Sequence, residues 1–320
     1  MNLWGGIGVS VRGLEAKSRQ GPEKITASVL RIILNARQLL RGRVVPIKLY
    51  LYRAKIDTAL ADGNTPLNVH ETFLQEGIKG LWIPGFESIS IEEGEIRFRG
   101  SPFHFQDLSL RIHKKKTVPL ALGLVSSGNL GFRNEKVAFR LTGSLSHTTE
   151  GKRFPWVQLM VETGSVPLKW IPFPRQMVIS GGQFKTVMKI LSNGDGSISI
   201  DGNVLGESPR FSLVGEERRQ DFVLSHITVD FRSAIKGMSI TIPFFRFNTP
   251  EVSIISSLRL DLNDRVNPYI ELEAGGHYME LDAFKSLFPS FLFAPWVNRR
   301  LLPLIHKGQI KLESLSLKGR

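Results

Sequence analysis

The chain of 320 residues contains no cysteine, which excludes disulfides, thiolate metal sites and cysteine nucleophiles. It also lacks any run approaching the roughly 18 to 20 apolar residues that carry a helix across a bilayer. One of its most apolar stretches, Val118 to Val125, is interrupted by Pro119 and has the length of a strand. The start, Met1-Asn2-Leu3-Trp4-Gly5-Gly6, has neither the basic region nor the apolar core of a signal peptide. The seven histidines (70, 104, 113, 147, 226, 277 and 306) are scattered, with no metal-ligand spacing to another histidine or a glutamate. Gly8-Val9-Ser10-Val11-Arg12 opens like a nucleophile elbow but has no closing glycine. Gly5-Gly6-Ile7-Gly8 leads into a strand rather than the helix of a dinucleotide site. No enzymatic activity, cofactor or metal is expected.

What the sequence has in quantity is alternation. Leu30 to Leu34, Ile47 to Tyr52, Ser88 to Ile91, Glu95 to Phe98, Phe105 to Ile112 and Lys136 to Gly143 alternate apolar and polar residues. So do Val157 to Val161, Ser197 to Ile200, Phe222 to Phe231, Ser239 to Ile242, Leu258 to Leu262, Tyr269 to Leu272 and Lys311 to Lys318. A period of two means strands with one apolar face and one wet face. The intervening Gly, Asn, Asp and Pro residues, as in Asn193-Gly194-Asp195-Gly196 and Asp201-Gly202-Asn203, read as tight turns, and the short spacings favour antiparallel meanders. Helices are expected only near residues 65–79, started by Asn64-Thr65-Pro66, and near 282–305. The expected fold is mainly β: an elongated, curled antiparallel sheet with a few short helices, in two β regions, 1–155 and 156–320.

A weak repeat runs through the chain. Ile91-Glu92-Glu93-Gly94-Glu95-Ile96, Ile179-Ser180-Gly181-Gly182-Gln183-Phe184 and Ile305-His306-Lys307-Gly308-Gln309-Ile310 each place a glycine among polar residues ahead of an alternating segment. It reads either as a recurrent hairpin turn or as an extended sheet built by repetition.

So many strands with so few helices leave two solutions. The sheet can close into a sealed sandwich, or it can curl into a trough whose apolar inner face stays partly open. Composition alone leans towards the sandwich. A trough would take acyl chains, at about 0.8 kcal/mol per buried methylene. Its candidate lining residues are Leu49, Leu51, Ile89, Ile91, Ile96, Phe98, Leu108, Leu110, Ile112, Val137, Phe139 and Leu141. The aromatic segment with Phe284, Leu287, Phe288, Phe291 and Trp296 is a candidate end cap or membrane contact. The formal net charge of +13 points to an acidic partner. Arg41, Arg43, Lys114, Lys115 and Lys116 are candidate contacts for anionic lipid headgroups. A nucleic-acid platform would need basic side chains interleaved with exposed aromatics, which the pattern does not provide.

Several segments resemble AsmA-like proteins, relatives of TamB-like proteins. Ile7 to Val11 through Leu30 to Leu34, then Leu39-Leu40-Arg41-Gly42 and Ile47 to Leu51, are similar to the family's opening strand pair, short leucine–leucine–x–glycine step and following strand. Ile91 to Phe98, Phe105 to Ile112 and Phe139 to Leu145 resemble its strand and hairpin rhythm, and Trp296 to Gly308 before Ile310 resembles its tryptophan-bearing helix. The resemblance implies an envelope protein of diderm bacteria, in the periplasm and associated with the inner membrane. It would hold phospholipid acyl chains in a β-groove and support phospholipid transport towards the outer membrane and outer-membrane biogenesis, with other envelope proteins as possible partners. The family's N-terminal membrane helix does not precede the first strand of this sequence. The resemblance shifts the balance towards the open trough, with a sealed envelope scaffold as the alternative.

Overall fold

A computed structural model describes residues 6–17, 24–59, 87–115, 121–146, 156–171, 177–193, 195–214, 219–250, 252–264, 267–281, 300, 304, 308–311 and 313–319. The expected helices at 65–79 and 282–305 fall almost wholly outside these residues, as do Lys116, Phe284, Leu287, Phe288, Phe291 and Trp296. The protein is mainly β, its strands mixed but mostly antiparallel, and the sheet is not a closed barrel. The chain divides into two compact units, Met1–Glu162 with Ile190–Gly196, and Thr163–Lys189 with Ser197–Arg320.

In the first unit the strands are β1 (Ile7–Lys17), β2 (Lys24–Leu34), β3 (Pro46–Tyr52), β4 (Lys55–Ala59), β5 (Ser88–Arg99), β6 (Phe103–Lys114), β7 (Ala121–Phe132), β8 (Glu135–Ser146) and β9 (Trp156–Thr163). A single helical turn, α1 (Ala36–Leu39), links β2 to β3, with the Asn35 side chain accepting from the Gln38 N–H. β1 pairs with β2, and β2 with both β3 and β4, all antiparallel. β3 and β4 are two halves of one broken strand, and both lie parallel to β5. From β5 to β8 the strands form an antiparallel meander. The β3/β4–β5 step departs from the all-antiparallel expectation. Two parallel neighbours need a long connection, and β4 ends at Ala59 while β5 begins only at Ser88.

The segments Ser88 to Ile91 and Glu95 to Phe98, read as two strands, are one strand, β5. Glu92-Glu93-Gly94 is a bulge inside it, where the pairing with β6 slips. Glu93 there has φ 51°, and similar left-handed residues interrupt the neighbouring strands at Arg53 (φ 50°) and Asp107 (φ 51°). These breaks lie side by side: the Arg53 N–H donates to the Glu92 carbonyl at 2.9 Å, and Asp107 sits where β6 slips against β7. On β7 the crease meets Gly128, where an added Cβ would stand 2.9 Å from the Gln106 carbonyl oxygen and 3.1 Å from Leu108 Cα. Aligned bulges bend a sheet and raise its local twist.

The second unit is also built of strands, and its described pairings are antiparallel. Its strands are β10 (Val166–Pro167), β11 (Met177–Asn193), β12 (Ser197–Val214), β13 (Arg219–Val223), β14 (His226–Lys236), β15 (Ser239–Asn248), β16 (Ser253–Asp261), β17 (Tyr269–Gly276), the small pair β18 (Tyr278–Glu280) and β19 (Gln309–Lys311), and β20 (Leu315–Gly319). The segment Phe222 to Phe231 is split between β13 and β14, both antiparallel to β12. The order then runs β14, β15, β16, β17, β20. Lys311 to Lys318, read as one strand, is broken into β19 and β20. A crease crosses this unit too. Gly182 on β11 has φ +104° and lies so near Pro209 that a Cβ would stand 2.5 Å from its Cα. Ser208 on β12 has φ 46°, and the Ser208 N–H donates to the Ser225 carbonyl at the β13/β14 break. Asp201-Gly202-Asn203, expected as a turn, lies within β12; Gly202 is required there because the Phe231 ring occupies the place of a Cβ.

Candidate functional site

Alternation within strands and register between them fix which side chains share a face. In the first unit the pairings Val9–Ile32, Ile32–Leu49, Leu49–Ile89, Ile89–Ile112 and Ile112–Leu124 form one unbroken apolar row from β1 to β7. The adjacent row runs Val11, Leu30, Leu51, Ile91, Leu110, Ser126 and Leu141. Beyond the crease, Ile25, Ile56, Ile96, Phe105, Leu130 and Val137 make a third row. Leu108 opposes Gly94 and Phe139 opposes Gly128. Phe105 packs edge-on against Phe98 and Phe139, with ring centroids 6.0 and 5.1 Å away.

All twelve lining candidates of the sequence therefore lie on one face. The sequence reading omitted Phe105, because it counted parity through β6 without the bulge at Asp107. With one residue inserted there, odd-numbered Phe105 and even-numbered Leu108, Leu110 and Ile112 point the same way. It also omitted Val9, Val11, Leu30, Ile32 and Leu124, whose alternation carried the same signal.

Among the described residues, every strand of this unit belongs to that one sheet. The buried cluster of the sheet consists of strand neighbours: Ala27, Ala54 and Ile91, with Leu14, Leu51, Ile56 and Leu110 against them. Most of the remaining face is half-buried, and at β1 it is open, Val9 being 43% and Val11 41% exposed. The end near the β7 start is closed, with Leu122 and Leu145 buried. The second unit has rows of the same kind: Ile198, Ile235, Ile240, Leu260 and Ile270, and beside them Ile242, Leu258, Leu272 and Leu317.

The opposite face is charged. At the crease of the first unit, Arg53 Nε donates to Glu93 at 2.9 Å and the Tyr52 hydroxyl donates to the same carboxylate at 3.0 Å. These hydrogen bonds, Arg53 first, hold the Glu93 carboxyl below its ordinary range, and Glu93 in turn raises the Arg53 guanidinium. Asp107 accepts from Asn129 at 3.0 Å and faces Lys136 at 3.5 Å. A shallow basin lined by Arg53, Lys55, Glu93, Glu95, Arg97 and Asp107 covers the crease. Its carboxylates are paired, Glu93 with Arg53, Glu95 with Arg97 and Lys55, and Asp107 with Lys136 outside the basin. No cluster of His, Asp and Glu suited to a metal occurs among the described residues.

Arg41 and Arg43 lie in the link between α1 and β3, Lys114 ends β6, and Lys115 follows it. The backbone joins these places at one end of the sheet: the Lys114 N–H donates to the Glu87 carbonyl, and the Glu87 N–H to the Ile47 carbonyl. Among the described residues no helix is long and apolar enough to cross a membrane. No family model matches the chain, and neither the curated proteins nor the solved structures give a match.

Proposed function

We propose that the protein is a non-enzymatic envelope component that shelters lipid acyl chains on the apolar faces of its sheets, in the manner the resemblance to AsmA-like proteins implies. On this reading it works in the periplasm beside the inner membrane and supports phospholipid transport towards the outer membrane and outer-membrane biogenesis. The observation that carries the reading is the set of apolar rows running from β1 to β8 on one face of a single sheet, open at Val9, Val11 and Ile25, buried at Ile91, Leu108 and Val137, and half-buried over most of the rest. An apolar face left partly open marks a ligand groove or an interaction site in a soluble protein. Acyl methylenes recover about 0.8 kcal/mol each on leaving water, and a face without charged groups lets a chain slide without breaking any hydrogen bond. The opposite, charged face keeps the sheet soluble.

A second reading, a sealed scaffold, draws on the closed end at Leu122 and Leu145. A phospholipid carrying a photoactivatable acyl chain separates the two. Under the lipid reading, cross-links located to single residues fall on Ile32, Leu49, Ile89 and Ile112 and spare their strand neighbours Arg31, Lys48, Ser90 and Arg111 on the charged face. Cross-links spread over both faces, or absent, contradict it.

A further inference from the structure

The link between α1 and β3 shows a conflict that the lipid-sheltering reading does not address. Its backbone is tightly ordered. The Asn35 N–H donates to the Val45 carbonyl at 2.9 Å, closing the loop at its base. The Gly42 N–H donates to the Leu39 carbonyl and the Arg43 N–H to the Gln38 carbonyl, both at 2.9 Å. Gly42, at φ +71°, makes the left-handed turn that ends the helical segment. A loop fixed this firmly would be expected to tuck its large apolar side chains inward. Instead Leu40 is 89% exposed and Val44 71% exposed.

The chemistry around these two side chains is of one sign. From Asn35 to Lys48 the chain carries Arg37, Arg41, Arg43 and Lys48 and no acidic residue. Lys115 follows β6 at the same end of the sheet. Glu87, close by, is taken up by Lys48 at 3.5 Å. Exposed aliphatic side chains interspersed along the chain with arginines match the boundary of an anionic bilayer, where apolar groups enter the acyl region and cations stay at the phosphates.

We propose that the α1–β3 link is a bilayer-contact element, in which Leu40 and Val44 enter the interface of an anionic membrane while Arg37, Arg41 and Arg43 engage headgroup phosphates. Charge complementarity selects the anionic bilayer as the occupant. The link runs directly into β3, whose Leu49 belongs to the apolar row described above, so the contact sets a membrane at one end of that face. The contact goes beyond the lipid-sheltering reading and stands without it.

Co-sedimentation of the whole chain with vesicles tests it. Binding is expected to vesicles of equimolar phosphatidylglycerol and phosphatidylcholine, at least tenfold weaker to phosphatidylcholine alone, and weakened by salt. The double substitution L40D/V44D is expected to lower binding at least tenfold with an almost unchanged melting temperature, since both side chains are largely exposed. R41Q and R43Q should each weaken binding about fivefold, the effect of one charge near such a surface. Equal binding by parent and L40D/V44D, equal binding to both vesicle types, or no binding by the parent overturns the proposal; in the last case the loop is left to an acidic protein surface. Acyl lipid co-purifying with L40D/V44D keeps the two ideas apart. If it persists while vesicle binding is lost, the contact and the sheltering face are both upheld as separate features. If it is missing from parent and variant alike, only the sheltering reading fails.

Discussion

Placing a charge on the apolar face where that face is open should abolish lipid uptake without unfolding the protein. Val11 is the informative position. It lies in the row Val11, Leu30, Leu51, Ile91, Leu110, yet it is 41% exposed. An aspartate there can keep its water in the empty protein. The cost to folding is the lost part of a valine burial plus a weaker strand residue, together about 1 to 2 kcal/mol. An acyl chain lying along the row must withdraw from the hydrated carboxylate. If about three methylenes lose their contact, affinity falls by about 2.4 kcal/mol, roughly sixtyfold. Ser10→Asp is the control: it puts the same charge on the same strand, facing the other way and opposite Arg31. Titration with a fluorescent fatty acid, beside urea unfolding of each variant, reads both quantities. The reasoning is refuted if V11D binds the probe like the parent, or if S10D loses binding as severely as V11D.

Other outcomes follow from packing and charge. Leu122 is fully buried at the closed end, so L122A should cost about 2 to 5 kcal/mol in urea unfolding and leave probe affinity almost unchanged. At the second crease, G182A combines a left-handed φ with a 2.5 Å clash against Pro209 Cα and should destabilise by at least about 2 kcal/mol. G237A, with φ +58° but nothing within 4 Å, should cost only about 1 to 2 kcal/mol; equal losses would show that close approach is not what demands glycine at 182. The carboxyls of Glu15, Glu93, Glu207 and Glu271 are all held below their ordinary range, chiefly by hydrogen bonds from Lys24, Arg53, Lys185 and Lys318. A group depressed in the folded state stabilises above its unfolded value, and that stability is lost as pH falls through the folded value. Melting temperature should therefore decline as the medium is acidified below the ordinary glutamate range, and added salt should shrink the decline because these groups are exposed. A melting temperature that rises on such acidification would contradict the pairing.

The strands were legible because alternation is a local property, and β2, β3, β6, β8 and β15 all contain segments recognisable from it. The creases were not legible. Glu92-Glu93-Gly94 has the composition of a hairpin turn, and only pairing with β3/β4 and β6 turns it into a bulge within a continuous strand. The glycine repeat thus marked something real at Gly94 and Gly182, but its meaning was a bend in a sheet rather than a reversal of the chain. Gly202 misled for the opposite reason: its partner, the Phe231 ring, lies 29 residues away, beyond any local window. The parallel step to β5 was hidden because register across residues 60–86 leaves no trace in periodicity. At the candidate face alternation alone puts the twelve candidate residues on one side of the sheet, while Phe105 is lost to the parity change at Asp107. The basic residues at 41, 43, 114 and 115 were noticed as charge runs. That Leu40 and Val44 stand exposed among the arginines depends on the tight turn at Gly42, which residue types by themselves do not specify.

Native mass spectrometry of the whole purified chain tests the central claim most directly. The account predicts that the protein carries adducts of phospholipid mass, that organic extraction removes them, and that they return when the stripped protein meets phospholipid. A single bare mass before extraction, with no uptake afterwards, would contradict it.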